Sequence, residues 1–188
     1  MARSQHEALD TFVEATREAF RSHTDPRAQA ELVTDAAEDL VAADGWMEDL
    51  IDFDGRRARA ELHLDEEYGH PDPGFVVKGS VTHPDEPTGG STPHDHGATW
   101  VVYAVYRGQM EQYRYNWEYD ENARNPQLTE QAKFVQEPGD ALFLLPGEIH
   151  RTNIVSDEPT WVVRIESQHL DTVARHRYNL ENNSIGTK

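Results

Sequence analysis

The chain has 188 residues, 35 of them acidic and 17 basic, giving a formal net charge of −18. That length suits one well-buried core, and the charge opposes binding to a nucleic-acid backbone or an anionic membrane. There is no cysteine, so disulfides and thiolate ligands are excluded and any metal must be held by nitrogen and oxygen.

Residues 1 to about 50 carry helical periodicity. Leu9, Phe12, Val13, Thr16, Ala19 and Phe20 recur on one face, which predicts an amphipathic helix. Asp25-Pro26 supplies an N-cap and a first-turn proline for a second helix, with Ala28, Leu32, Val33, Ala36 and Leu40 as its apolar face. Gly45 marks its stop, and Trp46, Met47, Leu50 and Ile51 are expected to pin this helical cap onto the rest of the chain.

From about residue 57 the period changes to two. Arg57, Arg59, Glu61 and His63 alternate with Ala58, Ala60, Leu62 and Leu64, and further strand-like runs follow at 75–77, 99–106, 110–119, 133–136, 141–145, 152–155 and 161–167. Turn signals separate them, among them Pro84 to Gly90, Arg107-Gly108, Pro138-Gly139-Asp140 and Pro146-Gly147. Many short strands of this kind indicate a barrel or a two-sheet sandwich. The expected division is a helical cap over 1–56, a β-barrel over 57–170 and a polar tail over 171–188, all one domain. No apolar run reaches the length of a membrane span and the first residues lack the apolar stretch of a signal peptide, so the expected location is the cytoplasm.

Three histidines carry the chemistry. His94 and His96 sit in Pro-His-Asp-His-Gly, and His150 follows Pro146-Gly147-Glu148-Ile149. On a strand, His94 and His96 share a face, and a third imidazole from a neighbouring strand would complete three nitrogens around one transition metal. Two solvated histidines would give the same His-x-His, but the apolar run 99–106 after it and the Pro138-Gly139-Asp140 and Pro146-Gly147 turns before His150 favour the metal reading. His6, His23, His63, His70, His83 and His176 show no partner and are read as surface residues. Glu111, Tyr113, Tyr115 and Trp117 alternate and would line either a pocket or a dimer contact.

These motifs resemble those of the cupin superfamily. His94, His96 and Gly108 match its first motif; Gly139, Gly147 and His150 match its second. The resemblance covers roughly residues 57 to 168 and implies a double-stranded β-helix (jelly-roll) barrel behind the N-terminal helical cap. The glutamate ligand usual in cupins is absent: its position, seven residues before Gly108, is Val101. Within the superfamily that absence, with His94-Asp95-His96-Gly97, is similar to the three-histidine thiol dioxygenases such as cysteine dioxygenase. The resemblance implies Fe(II), with nickel, zinc or manganese as other occupants, and dioxygen with a small metal-chelating substrate, for instance a thiol carboxylate, as reactants. Arg57 and Arg59 lie on the segment that corresponds to the one carrying the arginine that grips the substrate carboxylate; Arg59 is the preferred match, with a surface ion pair as its other reading. The family's Ser, His and Tyr on the last barrel strand fall at Val162, Arg164 and Glu166 or, in a shifted register, at Ser167, His169 and Asp171. Neither register supplies the tyrosine. Arg164 and His169 are thus the candidate catalytic groups, with a structural ion pair as the alternative for Arg164. Tyr103 is a candidate substrate contact, with barrel core as its alternative. A non-redox cupin lyase, isomerase or hydrolase, and a non-catalytic small-molecule binder, are the competing functions, in either a monomer or a homodimer.

Overall fold

The computed structural model describes residues 6–85, 92–118, 127–182 and 184–187. Beyond residue 85 the turn expected over 84–90 lies outside them. Three helices come first: α1 (Glu7–Ser22), α2 (Pro26–Ala42) and the short α3 (Trp46–Leu50). The Asp25 carboxylate accepts from the Ala28 N–H at 2.9 Å and Pro26 opens α2, as the capping rules require. The buried face of α1 is the expected one, Leu9, Phe12, Val13, Thr16 and Ala19. That of α2 is rotated: Ala30, Val33, Ala37, Leu40 and Val41 are buried, while Leu32 is 42% exposed. Gln29 fixes this rotation by turning inward to accept from the Trp100 indole N–H at 3.1 Å.

Among the described residues ten strands follow: β1 (Arg57–Leu64), β2 (Val76–Thr82), β3 (Val101–Arg107), β4 (Met110–Glu118), β5 (Gln127–Gln136), β6 (Ala141–Leu144), β7 (Ile149–Ile154), β8 (Thr160–Glu166), β9 (His176–Asn179) and β10 (Ser184–Thr187). One sheet runs β1-β2-β8-β3-β6; the other comprises β5-β4-β7 and the hairpin β10-β9. His94 joins the last two pieces, exchanging backbone hydrogen bonds with His150 (2.8 and 3.0 Å) and bridging to Arg177. Counting the His94 segment as a strand, two facing sheets then read β2-β8-β3-β6 and β5-β4-β7-His94. That interleaving is the jelly roll of a double-stranded β-helix.

Period-two alternation sorts the first sheet cleanly. Ala58, Ala60, Phe75, Val77, Val81, Trp100, Val102, Ala104, Val163 and Ile165 pack outward against the helices, where Phe20 stacks on Phe75 and Trp100 with ring centroids 5.6 and 5.7 Å apart. Val101, Tyr103, Val105, Leu144 and Val162 form a second cluster inside the barrel. The helical cap therefore supports one wall from behind and leaves the barrel interior to the site. No helix among the described residues is long and apolar enough to cross a membrane.

Three expectations need correction. The strand expected from Lys133 begins at Gln127, and β7 starts early enough to include His150. The segment 171–188, read as a polar tail, contributes β9 and β10, because Tyr178 buries its ring (8% exposed) against Tyr113, Tyr115 and Ile149. A single aromatic anchor in a polar stretch leaves no periodicity to read.

Candidate metal centre

His94, His96 and His150 converge in the barrel, with one ring nitrogen from each lying within 4.8 Å of the others. His150 is fully buried on β7 and His96 is 1% exposed. The residues around His94 and His96 do not form the regular strand expected. Asp95 accepts from the Gly97 N–H at 2.9 Å, and Gly97 adopts a positive φ of 63°, so the chain turns and delivers His96 from a loop.

The rings are oriented by hydrogen bonds. The Nδ1 of His94 donates to the Thr92 carbonyl at 3.0 Å and that of His150 to Gln112 Oε1 at 3.1 Å, which leaves each Nε2 lone pair free. Gln112 is itself held: its Nε2 donates to Gln136 Oε1 at 2.8 Å, and Gln136 Nε2 donates to the Tyr103 carbonyl at 3.1 Å. Both His96 nitrogens and His150 Nε2 are buried without a protein partner. Orphaned buried nitrogens ask for a ligand from outside the protein, and an all-imidazole set suits a first-row transition ion. The residues present fit a metal.

Charge agrees. Burial first, then the neighbouring imidazoles and the Arg164 guanidinium, hold His96 and His150 well below the usual 6.5. Burial also lowers His94, helped by Arg164, Arg175 and Arg177 and opposed by the Thr92 hydrogen bond. All three imidazoles are neutral at pH 7, the state a metal ligand needs.

No family model matches the chain, and no curated protein matches it. Among solved structures it is similar to an uncharacterised conserved protein with a double-stranded β-helix domain from Klebsiella pneumoniae (15% identity, 72% of this chain and 87% of that one, TM-score 0.42). It is also similar to KdgF from a Halomonas species (16%, 65% and 90%, TM-score 0.41) and to the cupin domain of Cnp3 from Schizosaccharomyces pombe (9%, 65% and 70%, TM-score 0.43). Likenesses at this level carry nothing about chemistry, which rests on the site itself.

A cavity of about 780 Å³ opens beside His94 and Tyr103, lined in part by Arg57, Arg59, Lys78, Arg164, Arg175 and Arg177. Six of the 17 basic residues of a strongly anionic chain therefore face one space. Arg164 points inward, as does Val162, in the first of the two β8 registers. It pairs with Glu166, which is fully buried and also accepts from Lys78 Nζ at 3.0 Å. Tyr103 lies 5.3 Å from His150 between ring centroids, and burial raises its hydroxyl pKa despite the nearby Arg164. Arg59 lines the cavity and makes no ion pair among the described residues; burial, Arg57 and Arg164 all pull its pKa down.

His169 is not brought into the cavity lining. It caps a short 3-10 turn by accepting from the Asp171 N–H at 3.2 Å and lies 3.4 Å from Glu61. His176, expected without a partner, donates to Asp95 Oδ2 at 2.9 Å. The contact pairs residues 81 positions apart, which no local pattern announces. His63 likewise sits 3.3 Å from Asp65. Tyr113 and Tyr115 belong to the outer face of β4, away from the triad, because Gln112 takes the inward parity. Sequence reasoning missed Gln112, Lys78, Arg175 and Arg177.

Proposed function

We propose that the chain is a metal-dependent enzyme, an Fe(II) dioxygenase acting on a small anionic substrate that chelates the metal, such as a thiol carboxylate. The observation that carries this reading is the triad of neutral imidazoles without a carboxylate ligand, two of them buried and the third, His94, on the wall of an arginine-lined cavity. Three neutral ligands leave a divalent ion its full charge, which favours an anionic chelating substrate. Iron held there would supply the one-electron chemistry that dioxygen requires.

The chain's own residues bind and orient. Arg59 offers a planar fork of donors to a substrate carboxylate. Tyr103 keeps its proton and presents a hydroxyl donor beside the triad. Gln112 and Thr92 hold the imidazoles against rotation. The apolar wall of Val101, Val105 and Leu144 keeps water from the buried side.

The test is oxygen uptake by iron-loaded protein with a panel of small thiols bearing or lacking a carboxylate. Turnover limited to carboxylate-bearing thiols is expected. Absence of uptake with every member, from protein that retains stoichiometric iron, would reject the dioxygenase.

A further inference from the structure

The cavity carries more positive charge than one carboxylate requires. Glu166 occupies Lys78 and Arg164. Four arginines remain around the same space: Arg57 and Arg59 on β1, Arg175 just before β9 and Arg177 on it. They come from two facing sheets.

On β9, the His176 and Tyr178 side chains are engaged by Asp95, at 2.9 and 2.6 Å, and His176 and Asp95 themselves border the cavity. Arg175 and Arg177 flank His176, and both line the cavity with no such carboxylate partner. Both lie close enough to His94 for their charges to act on its imidazole. Arg175 has a buried Nε without a partner, and its one carboxylate neighbour among the described residues, Asp171, is 3.8 Å away and 75% exposed. A solvated partner at that range neutralises little. Arg177 makes no ion pair among the described residues.

Glu61, Asp95 and Asp171 also line the cavity, but Asp95 is held by His176 and Tyr178, so two carboxylates remain against four arginines, and an anion entering between those arginines meets a net positive field even where they are exposed to water. The cavity, about 780 Å³, lies in the upper part of the roughly 300–1,000 Å³ range of small-molecule sites. We infer that the substrate is a dianion, its carboxylate nearer the first sheet meeting Arg59 and its second anionic group held by Arg175 and Arg177 of the C-terminal segment. This rests on the proposed small-anion site but not on any redox step. It also gives the hairpin β9-β10 a role, as the element that completes the specificity pocket rather than a tail.

The test is calorimetric titration of the full chain with succinate and with butyrate, which share a four-carbon skeleton and differ by one carboxylate. Succinate is expected to bind at least tenfold more tightly. Arg177→Gln, at an exposed position, should abolish that preference and leave butyrate affinity unchanged; Arg175→Gln should do the same, and Arg177→Lys should retain most of it. Equal affinity for the two acids in the wild type, or a preference that survives both glutamine variants, overturns the inference. Neither result depends on turnover, so a protein that prefers succinate yet consumes no oxygen with any thiol loses the dioxygenase reading and keeps this one. Oxygen uptake without a dianion preference does the reverse.

Discussion

Gln112 Oε1 stands 3.1 Å from His150 Nδ1, and the amide that places it there is fixed by Gln136. An acceptor at Nδ1 selects the tautomer whose Nε2 lone pair faces the centre. Gln112→Leu is therefore expected to weaken metal binding about 10- to 100-fold, the usual effect of removing a partner behind a ligand. It should also cost about 1–3 kcal/mol of stability by stranding Gln136. Gln112→Glu, which keeps the acceptor, should bind metal far better than the leucine variant. Cobalt titration followed by visible absorbance checks both, and wild-type affinity in the leucine variant would show that Gln112 orients nothing.

The metal-free protein should lose stability as the pH falls below the ordinary histidine value. The pKa values of His94, His96 and His150 lie below 6.5 when folded, chiefly through burial, and His70 is lowered for the same reason. Unfolded chain takes up protons from about pH 6.5 downward while folded chain does not, so the unfolded state binds more protons and gains on acidification. Urea midpoints are expected to be flat above about pH 7.5 and to fall steadily towards about pH 5.5. His96→Gln should reduce the slope, with His70 and the other two imidazoles preserving part of it. A midpoint that does not change over this window would mean the imidazoles are already charged or exposed.

Much of this architecture is legible in the sequence because it is written in short-range periodicity. The α1 face, the alternation of β1, and the glycine turns at Gly108, Gly139 and Gly147 are local statements, and each has its counterpart in the fold. The three histidines are legible because their residue type is itself the signal. What is not legible is pairing at a distance. Asp95 with His176, Glu166 with Lys78 and Gln112 with His150 join residues 81, 88 and 38 positions apart. Arg175 and Arg177 sit in a stretch whose composition reads as solvated, and only the burial of Tyr178 brings them to the cavity wall. The α2 face departs from its apolar periodicity for a related reason: Gln29, a polar residue, is buried because it has a tryptophan N–H to accept from.

Asp95 ties the histidine loop to the C-terminal hairpin. Burial would raise its pKa, but hydrogen bonds from Tyr178, from the Gly97 N–H and from His176 outweigh that and keep the carboxyl below its ordinary value. Tyr178→Phe removes one hydrogen bond to a charged acceptor and is expected to cost about 1.5–3 kcal/mol. The other hydrogen bonds to Asp95 should keep the loop in place, so metal affinity should change little. Denaturation and cobalt binding measured on the same variant separate the two effects, and a large loss of metal with unchanged stability would contradict this division.

Gly97 makes a sharper case. A Cβ there would sit 2.2 Å from the Ala174 carbonyl oxygen, and its φ of 63° disfavours any L side chain. The obstacle is backbone, so a rotamer change cannot relieve it. Gly97→Ala should push 173–177 off the histidine loop, lowering both metal affinity and thermal stability. Proteolysis should reach the C-terminal segment first. Equal protease resistance in wild type and variant would show that the two segments are not interdependent.

Arg59 and Arg164 face the same cavity and should fail in opposite ways. Arg164 is tied to Glu166, which is fully buried, and shares that carboxylate with Lys78. Removing one partner of a buried pair leaves a charge unmatched and costs about 3–5 kcal/mol, softened here by the remaining lysine. Arg164→Met should thus lower the unfolding midpoint strongly. Arg164→Met with Glu166→Gln should recover part of the loss, because the unmatched charge is gone. Arg59 has no such partner among the described residues, and its guanidinium is crowded by Arg57 and Arg164. Arg59→Gln should leave stability unchanged or slightly improved while weakening a bound carboxylate by about 1.5–3 kcal/mol, the worth of a hydrogen bond to a charged group. Denaturation of all three variants, with butyrate titration of the Arg59 and wild-type proteins, decides the assignment. A destabilised Arg59→Gln variant with unaltered butyrate binding would exchange the two roles, making Arg59 the structural cation and leaving Arg164 to hold the substrate.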